Sequence, residues 1–161
     1  MPSSEIALAV LEVPSAIRRR LAAAAEAGRP EEVCGALIGV PTGAGTRVTD
    51  AVELPNRAAD PRREYRLDPD ELAPLFRAAD VIGFYHSHPD GPARFSALDA
   101  AEARAGYWYL VVGRARAETG GVAETTDGAE LTAWRDGTAV RVATPFPVAA
   151  EDRTEVPSCP R

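Results

Sequence analysis

Gly83-Phe84-Tyr85-His86-Ser87-His88-Pro89, followed at a fixed distance by Phe95-Ser96-Ala97-Leu98-Asp99, is the stretch from which the rest of the chain is read. Both of the protein's histidines lie in it. The apolar run from Val81 to Tyr85 predicts a buried strand. Residues two apart on a strand point to one face, so Ile82, Phe84, His86 and His88 are expected to share a side. Two imidazoles then project together from one strand end. Pro89 has no amide hydrogen to continue a ladder, and Asp90-Gly91-Pro92 supplies turn chemistry before a helix predicted over Ser96 to Ala105, with Gly106 as its stop. Ser96 and Asp99, three apart, fall on one face of that helix.

His86, His88 and Asp99 make an N,N,O donor set of borderline hardness, and three protein ligands leave the fourth tetrahedral position of a zinc ion open. That is the pattern of a catalytic site. A structural zinc site would want four closing ligands, commonly thiolates, and the two cysteines, Cys34 and Cys159, form no CxxC pair. A second reading stands beside this one. Ser96-Ala97-Leu98-Asp99 also fits the S-x-x-[DE] capping pattern, in which Ser96 caps the helix and Asp99 favours its positive end. As a whole, the spacing H-x-H-x7-S-x2-D favours the metal reading, since at roughly 2–7% usage per residue type it arises by chance in well under one in a thousand chains.

At these residues the chain resembles the JAMM (MPN+) metalloprotease family, whose motif is an upstream glutamate followed by H-x-H-x7-S-x2-D. In that family the glutamate stands two residues before a Cys-Gly that opens a strand, and Glu32-Val33-Cys34-Gly35-Ala36-Leu37-Ile38-Gly39 matches this context. The resemblance therefore makes Glu32, and not Glu31, the general base. It makes Ser96 the donor to the oxyanion, and His86, His88 and Asp99 the ligands of one zinc ion per chain. Pro55 to Pro61, Tyr65-Arg66-Leu67-Asp68-Pro69 and Tyr107 to Val112 look like the short bacterial branch, and the likeness spans residues 5 to 147. It implies an α/β/α sandwich with a central mixed β-sheet, related in architecture to cytidine deaminases. Deaminase chemistry itself is a poor alternative, because its H-x-E and P-C-x-x-C signatures are missing.

The activity implied is that of a zinc-dependent peptidase or isopeptidase. Short bacterial relatives process ubiquitin-like sulfur carrier proteins, so the expected substrate is a β-grasp carrier cut after its Gly-Gly. An extended carrier tail is expected to lie along the edge of the histidine strand. The alternative is a non-catalytic MPN-type scaffold, whose members typically lack the metal ligands.

Length and composition set the frame for this reading. The 161 residues suit one domain, predicted over 1–147, with a proline-punctuated, disordered tail over 148–161. A net charge of −6 argues against a nucleic-acid partner, and Arg18-Arg19-Arg20 reads as a solvated helix face. No apolar run approaches membrane-spanning length, no signal-peptide pattern is present, and two unpaired cysteines suit a reducing compartment. The expectation is a cytoplasmic protein with no membrane partner. Composition carries no signal for oligomeric state.

Taken in order, Ile6 to Leu11 reads as a strand, and Pro14 opens a helix with Ile17, Leu21 and Ala25 as its apolar stripe. Cys34 to Val40 and Thr46 to Leu54 are strands, and residues 55–64 form a loop that either shapes substrate binding or simply connects. Asp68-Pro69-Asp70-Glu71 starts a helix with Leu72, Leu75, Phe76 and Ala79 on its buried side, and Pro74 is expected to kink or delay it. Residues 114–128 read as a loop or weak edge strand. A hairpin then turns at Asp136-Gly137.

Overall fold

The structure, a computed structural model, describes residues 10–115 and 124–144. In chain order its elements are β1 (Val10–Glu12), α1 (Ser15–Gly28), β2 (Cys34–Pro41), β3 (Gly45–Leu54), α2 (Pro69–Ala78), β4 (Val81–Ser87), α3 (Ala97–Glu102), β5 (Trp108–Arg114), β6 (Glu124–Thr126), β7 (Ala129–Arg135) and β8 (Thr138–Ala143). The predicted strand residues before Val10, the 148–161 tail and Cys159 lie outside the described residues. No described helix is long and apolar enough to cross a membrane.

The strands run β5-β4-β2-β3-β1-β8-β7-β6 in one mixed sheet, parallel at β1–β3, β1–β8 and β4–β5 and antiparallel elsewhere. Strand β7 also pairs with β5 over its whole length, from Trp108↔Arg135 to Arg114↔Ala129. The strand order thus closes on itself, and β4 is hydrogen-bonded to β2 on one side and β5 on the other. This corrects the expected docking of a carrier tail on the histidine strand, because β4 has no unpaired edge to offer.

Apolar residues divide between the two faces. Leu11, Leu37, Val48, Tyr85, Leu110, Val112 and Leu131 form one core with Ile17 and Leu21 of α1. On the other face, Ala36, Phe84 and Tyr109 pack with Leu72 and Leu75 of α2 and with Phe95 and Ala103 around α3. Helices thus cover both sides of the mixed sheet, as the α/β/α reading requires.

Several local expectations change. The β2–β4 ladder steps from Leu37↔Gly83 to Ile38↔Val81, so Ile82 is an extra residue in a bulge and packs on the α1 core rather than beside Phe84. Arg18 is buried, its Nε donating to the Val13 carbonyl at 2.7 Å, so only Arg19 and Arg20 of the arginine run face solvent. Phe76 is exposed, and α2 runs on through Pro74. The third helix stops at Glu102, and Gly106 serves instead in the turn into β5, at φ +83° with its N–H donated to Asp136. Within the segment read as a loop or weak edge strand, residues 124–126 form the edge strand β6. Its turn to β7 at Asp127-Gly128 has positive φ at both residues, like the predicted turn at Asp136-Gly137.

Candidate metal centre and catalytic cleft

Strand β4 carries the histidines to the end of the sheet. His86 stands opposite Cys34 of β2 and Val111 of β5 and is fully buried, whereas His88, just past the strand, is half-buried and holds the ladder by donating its N–H to the Val112 carbonyl. Their Nε2 atoms lie 3.2 Å apart. The Nδ1 of His88 lies 3.0 Å from the Pro92 carbonyl, and donating its proton there leaves the Nε2 lone pair free to ligate. That loop is itself pinned: Thr132 Oγ1 of β7 donates to the Ala93 carbonyl at 2.5 Å, and the Gly113 Cα lies so close to Ala93 that a Cβ would meet its nitrogen at 2.2 Å.

Asp99 arrives from α3, and the helix cap is what places it. Ser96 Oγ accepts the Asp99 N–H at 3.1 Å and Asp99 Oδ2 accepts the Ser96 N–H at 2.8 Å, a complete capping box. The same carboxylate sets Oδ1 3.3 Å from His86 Nε2 and Oδ2 3.7 Å from His88 Nε2. Capping and ligation were alternatives on sequence; here one side chain is placed for both.

These separations suit a zinc ion. Donors about 2.0–2.1 Å from a tetrahedral centre stand about 3.3–3.4 Å from one another, close to the spacings around these three side chains. For two of the three groups the protonation states agree as well. Burial pulls His86 below its ordinary pKa, outweighing the neighbouring Asp99 carboxylate. Burial alone would raise Asp99, but the hydrogen bonds from both histidines hold it well below the usual carboxylate range. For His88, burial is outweighed by its bonds to Asp99 and Pro92, which raise it. A neutral His86 and an ionised Asp99 are the forms that bind metal.

Glu32 lies at the foot of β2, and the structure distinguishes it from its neighbour: Glu32 is buried, Glu31 exposed. Its backbone is held by three contacts. Its N–H donates to the Pro61 carbonyl at 2.7 Å, its carbonyl accepts from Asn56 Nδ2 at 3.0 Å, and the next residue, Val33, donates its N–H to Ser87 Oγ at 2.9 Å. Burial pushes the Glu32 carboxyl up to about 7; His88 opposes the rise, and Asp99 and Glu64 add to it. A carboxyl poised there can both take and return a proton near neutrality.

One cleft of about 260 Å³ is lined by Glu32, His88, Ser96 and Asp99, together with Arg63, Glu64, Tyr65, Leu98 and Glu102. Fully buried His86 lies behind it, reached through Asp99 and His88. All five residues singled out from the sequence therefore meet at one place. The 55–64 loop is more than a connector, because Asn56 uses all of its hydrogen-bonding capacity on it: Nδ2 donates to the carbonyls of Glu32 and Glu64, and Oδ1 accepts from Ala58 and Arg66. Tyr65 stacks on His86 with ring centroids 4.4 Å apart and planes at 18°. Sequence reasoning assigned no role to Asn56, Glu64, Tyr65 or the hydroxyl of Ser87. For the first three, no periodicity links a loop residue to a strand some 20 or more positions away; for Ser87, alternation alone placed it on the face opposite the histidines.

A family model described as prokaryotic homologs of the JAB domain matches residues 14–135. Over 117 residues the chain is 39% identical to a desampylase from Haloferax volcanii, covering 69% of this chain and 82% of that protein. Over 81 residues it is 37% identical to a probable TtuB-protein conjugate cleaving protease from Thermus thermophilus, covering 47% of this chain and 55% of the relative. A JAB1/MPN domain protein from Archaeoglobus fulgidus, 17% identical, shares the fold at a TM-score of 0.53, over 84% of this chain and 98% of its own.

Proposed function

The chain belongs to the prokaryotic branch of the JAB (JAMM/MPN+) family, and on that basis we propose that it is a zinc-dependent isopeptidase that releases ubiquitin-like carrier proteins by hydrolysing the amide bond after their Gly-Gly. The observation carrying this is the meeting of a three-donor N,N,O set with a buried, raised-pKa carboxyl and a serine hydroxyl around one cleft. The names of the two relatives support the substrate class, since one is called a desampylase and the other a protease of TtuB-protein conjugates. We take the catalytic domain as residues 1–147 and place the protein in the cytoplasm, a reducing compartment that suits its free, buried Cys34 thiol.

In this reading His86, His88 and Asp99 hold one Zn²⁺. The ion supplies Lewis acidity that lowers the pKa of the attacking water and polarises the scissile carbonyl. Glu32 takes the proton from that water and later gives it to the departing amine as the C–N bond breaks. Ser96 Oγ accepts the Asp99 N–H through a lone pair, so its own hydroxyl proton stays available for the oxyanion of the tetrahedral intermediate. Glycines at the cut site let a substrate backbone approach closely.

The test is to incubate zinc-loaded protein with β-grasp carriers extended beyond Gly-Gly by a cysteine, by two residues or by an isopeptide-linked protein, and with linked ubiquitin. Masses are read against Glu32→Gln. Cleavage directly after Gly-Gly of the carriers is expected. Cleavage of ubiquitin alone would overturn the substrate class, and binding without cleavage by the zinc-loaded protein would overturn the catalytic reading.

A further inference from the structure

The two candidate histidine ligands are held in different ways. A metal-ligating imidazole is normally oriented by a hydrogen bond from its second nitrogen, which fixes both tautomer and ring plane. His88 has such a bond, from Nδ1 to the Pro92 carbonyl at 3.0 Å. His86 does not: its Nδ1 is buried and lacks any partner among the described residues. For Nε2 to ligate, the ring must keep its proton on Nδ1 with nothing there to accept it.

We infer that Tyr65 is the positioning residue for His86, fixing the plane of this ligand by stacking where the usual hydrogen bond is missing. The rings lie nearly parallel at 18° with centroids 4.4 Å apart, a closer face-to-face contact than that of the stacked pair Phe95 and Trp134, whose centroids are 5.4 Å apart at 16°. Tyr65 is well placed for this because its backbone is anchored on both sides. The Glu64 carbonyl accepts from Asn56 Nδ2 at 3.0 Å, the Arg66 N–H donates to Asn56 Oδ1 at 3.1 Å, and Asp68 follows as the cap of α2. A flat ring held against one face of a buried imidazole opposes rotation about its χ2, the motion a hydrogen bond at Nδ1 would otherwise restrain. Aromatic stacking has the directionality needed, whereas aliphatic packing of equal volume lacks it.

The inference rests on the metal-centre reading, and its test needs no substrate. Zinc affinity by chelator competition and the d–d absorption of the Co²⁺-substituted protein would be compared for wild type, Tyr65→Phe and Tyr65→Met, with thermal unfolding of the metal-free proteins as a control. Tyr65→Phe keeps the flat ring and should hold zinc within about twofold of wild type with an unchanged Co²⁺ spectrum. Tyr65→Met should bind zinc about tenfold or more weakly, the loss typical of removing an outer-shell support, with an altered spectrum in protein that is still folded. A purely structural role would lower the melting temperature and leave the spectrum of the folded protein untouched. Equal affinity and spectrum in Tyr65→Met would overturn the inference, as would a Tyr65→Phe defect as large as that of Tyr65→Met, which would shift the role to the hydroxyl. A Tyr65→Met chain unable to fold would overturn it too, making Tyr65 a core residue. Wild-type protein that binds no zinc would instead defeat the metal-centre reading itself.

Discussion

Asp99 Oδ2 accepts the backbone N–H of Ser96 at 2.8 Å while Ser96 Oγ accepts the backbone N–H of Asp99 at 3.1 Å, and this reciprocal pair aims a carboxylate at the two histidines. A six-residue helix is too short to be rigid by its own propensity, so the capping box supplies the local order that Asp99 needs in its proposed role as a ligand.

Asp99→Asn separates the two roles of that side chain. The amide oxygen can still accept the Ser96 N–H, so the cap is kept, but the metal-free protein should lose near neutral pH the stability that the ionised carboxylate gains from the two histidines. Zinc affinity should fall more than about 100-fold, beyond the range of outer-shell losses. Chelator competition beside thermal unfolding reads both. Unchanged zinc affinity would leave Asp99 as a cap alone.

Glu32→Gln keeps the size and removes the proton acceptor, so zinc should stay bound while turnover drops by about 10²-fold or more. Stability should move the other way. Below pH 4.5 the Glu32 carboxyl is protonated in both states. Between 4.5 and about 7 this carboxyl retains in the folded protein a proton that it gives up in the unfolded chain, so its contribution to the stability of metal-free wild type falls as pH rises through that window. The glutamine variant has no such dependence. Metal-free Glu32→Gln should therefore unfold at a higher temperature than wild type at pH 8, with the gap closing toward pH 4.5. A constant gap across that range would mean Glu32 is not buried as a neutral acid.

Cys34 should be inert. Burial pushes its thiol up to about 12, and Sγ donates weakly to the Leu54 carbonyl at 3.6 Å. In a Cys159→Ser background at pH 8, alkylation should be slower than that of a free thiol by about 10³-fold, from the thiolate fraction alone, and should become fast on unfolding. Rapid native labelling, followed by mass spectrometry, would reopen Cys34 as a functional thiol.

Asn56→Ala removes four hydrogen bonds, three to Glu32 and to the residues on either side of Tyr65 and one to Ala58 within the 55–64 loop. At roughly 0.5–1.5 kcal/mol per bond, partly recovered by water, the expected loss is about 2 kcal/mol of stability, measured by denaturant unfolding. Turnover should fall with zinc still bound. Wild-type stability would show that the loop holds its shape without this side chain.

Much of the site was legible because its parts are local. Alternation along a strand placed His86 and His88 on one side, three-residue spacing placed Ser96 with Asp99, and Asp68-Pro69 announced the start of α2, all from covalent geometry acting over a few residues. Glu32 was reached only through a family pattern, since nothing in its own neighbourhood distinguishes it from Glu31. Tertiary structure separates the two: pairing of Cys34 with His86 across β2 and β4, and closure of the 55–64 loop over Glu32, bury one acid and leave the other in water. The bulge that turns Ile82 away from Phe84, the β4–β5 pairing that fills the second edge of the histidine strand, and the stacking of Tyr65 on His86 were likewise decided in three dimensions. Each depends on strand register or loop closure between distant segments, and side-chain periodicity within a single segment carries no information about which partner it will meet.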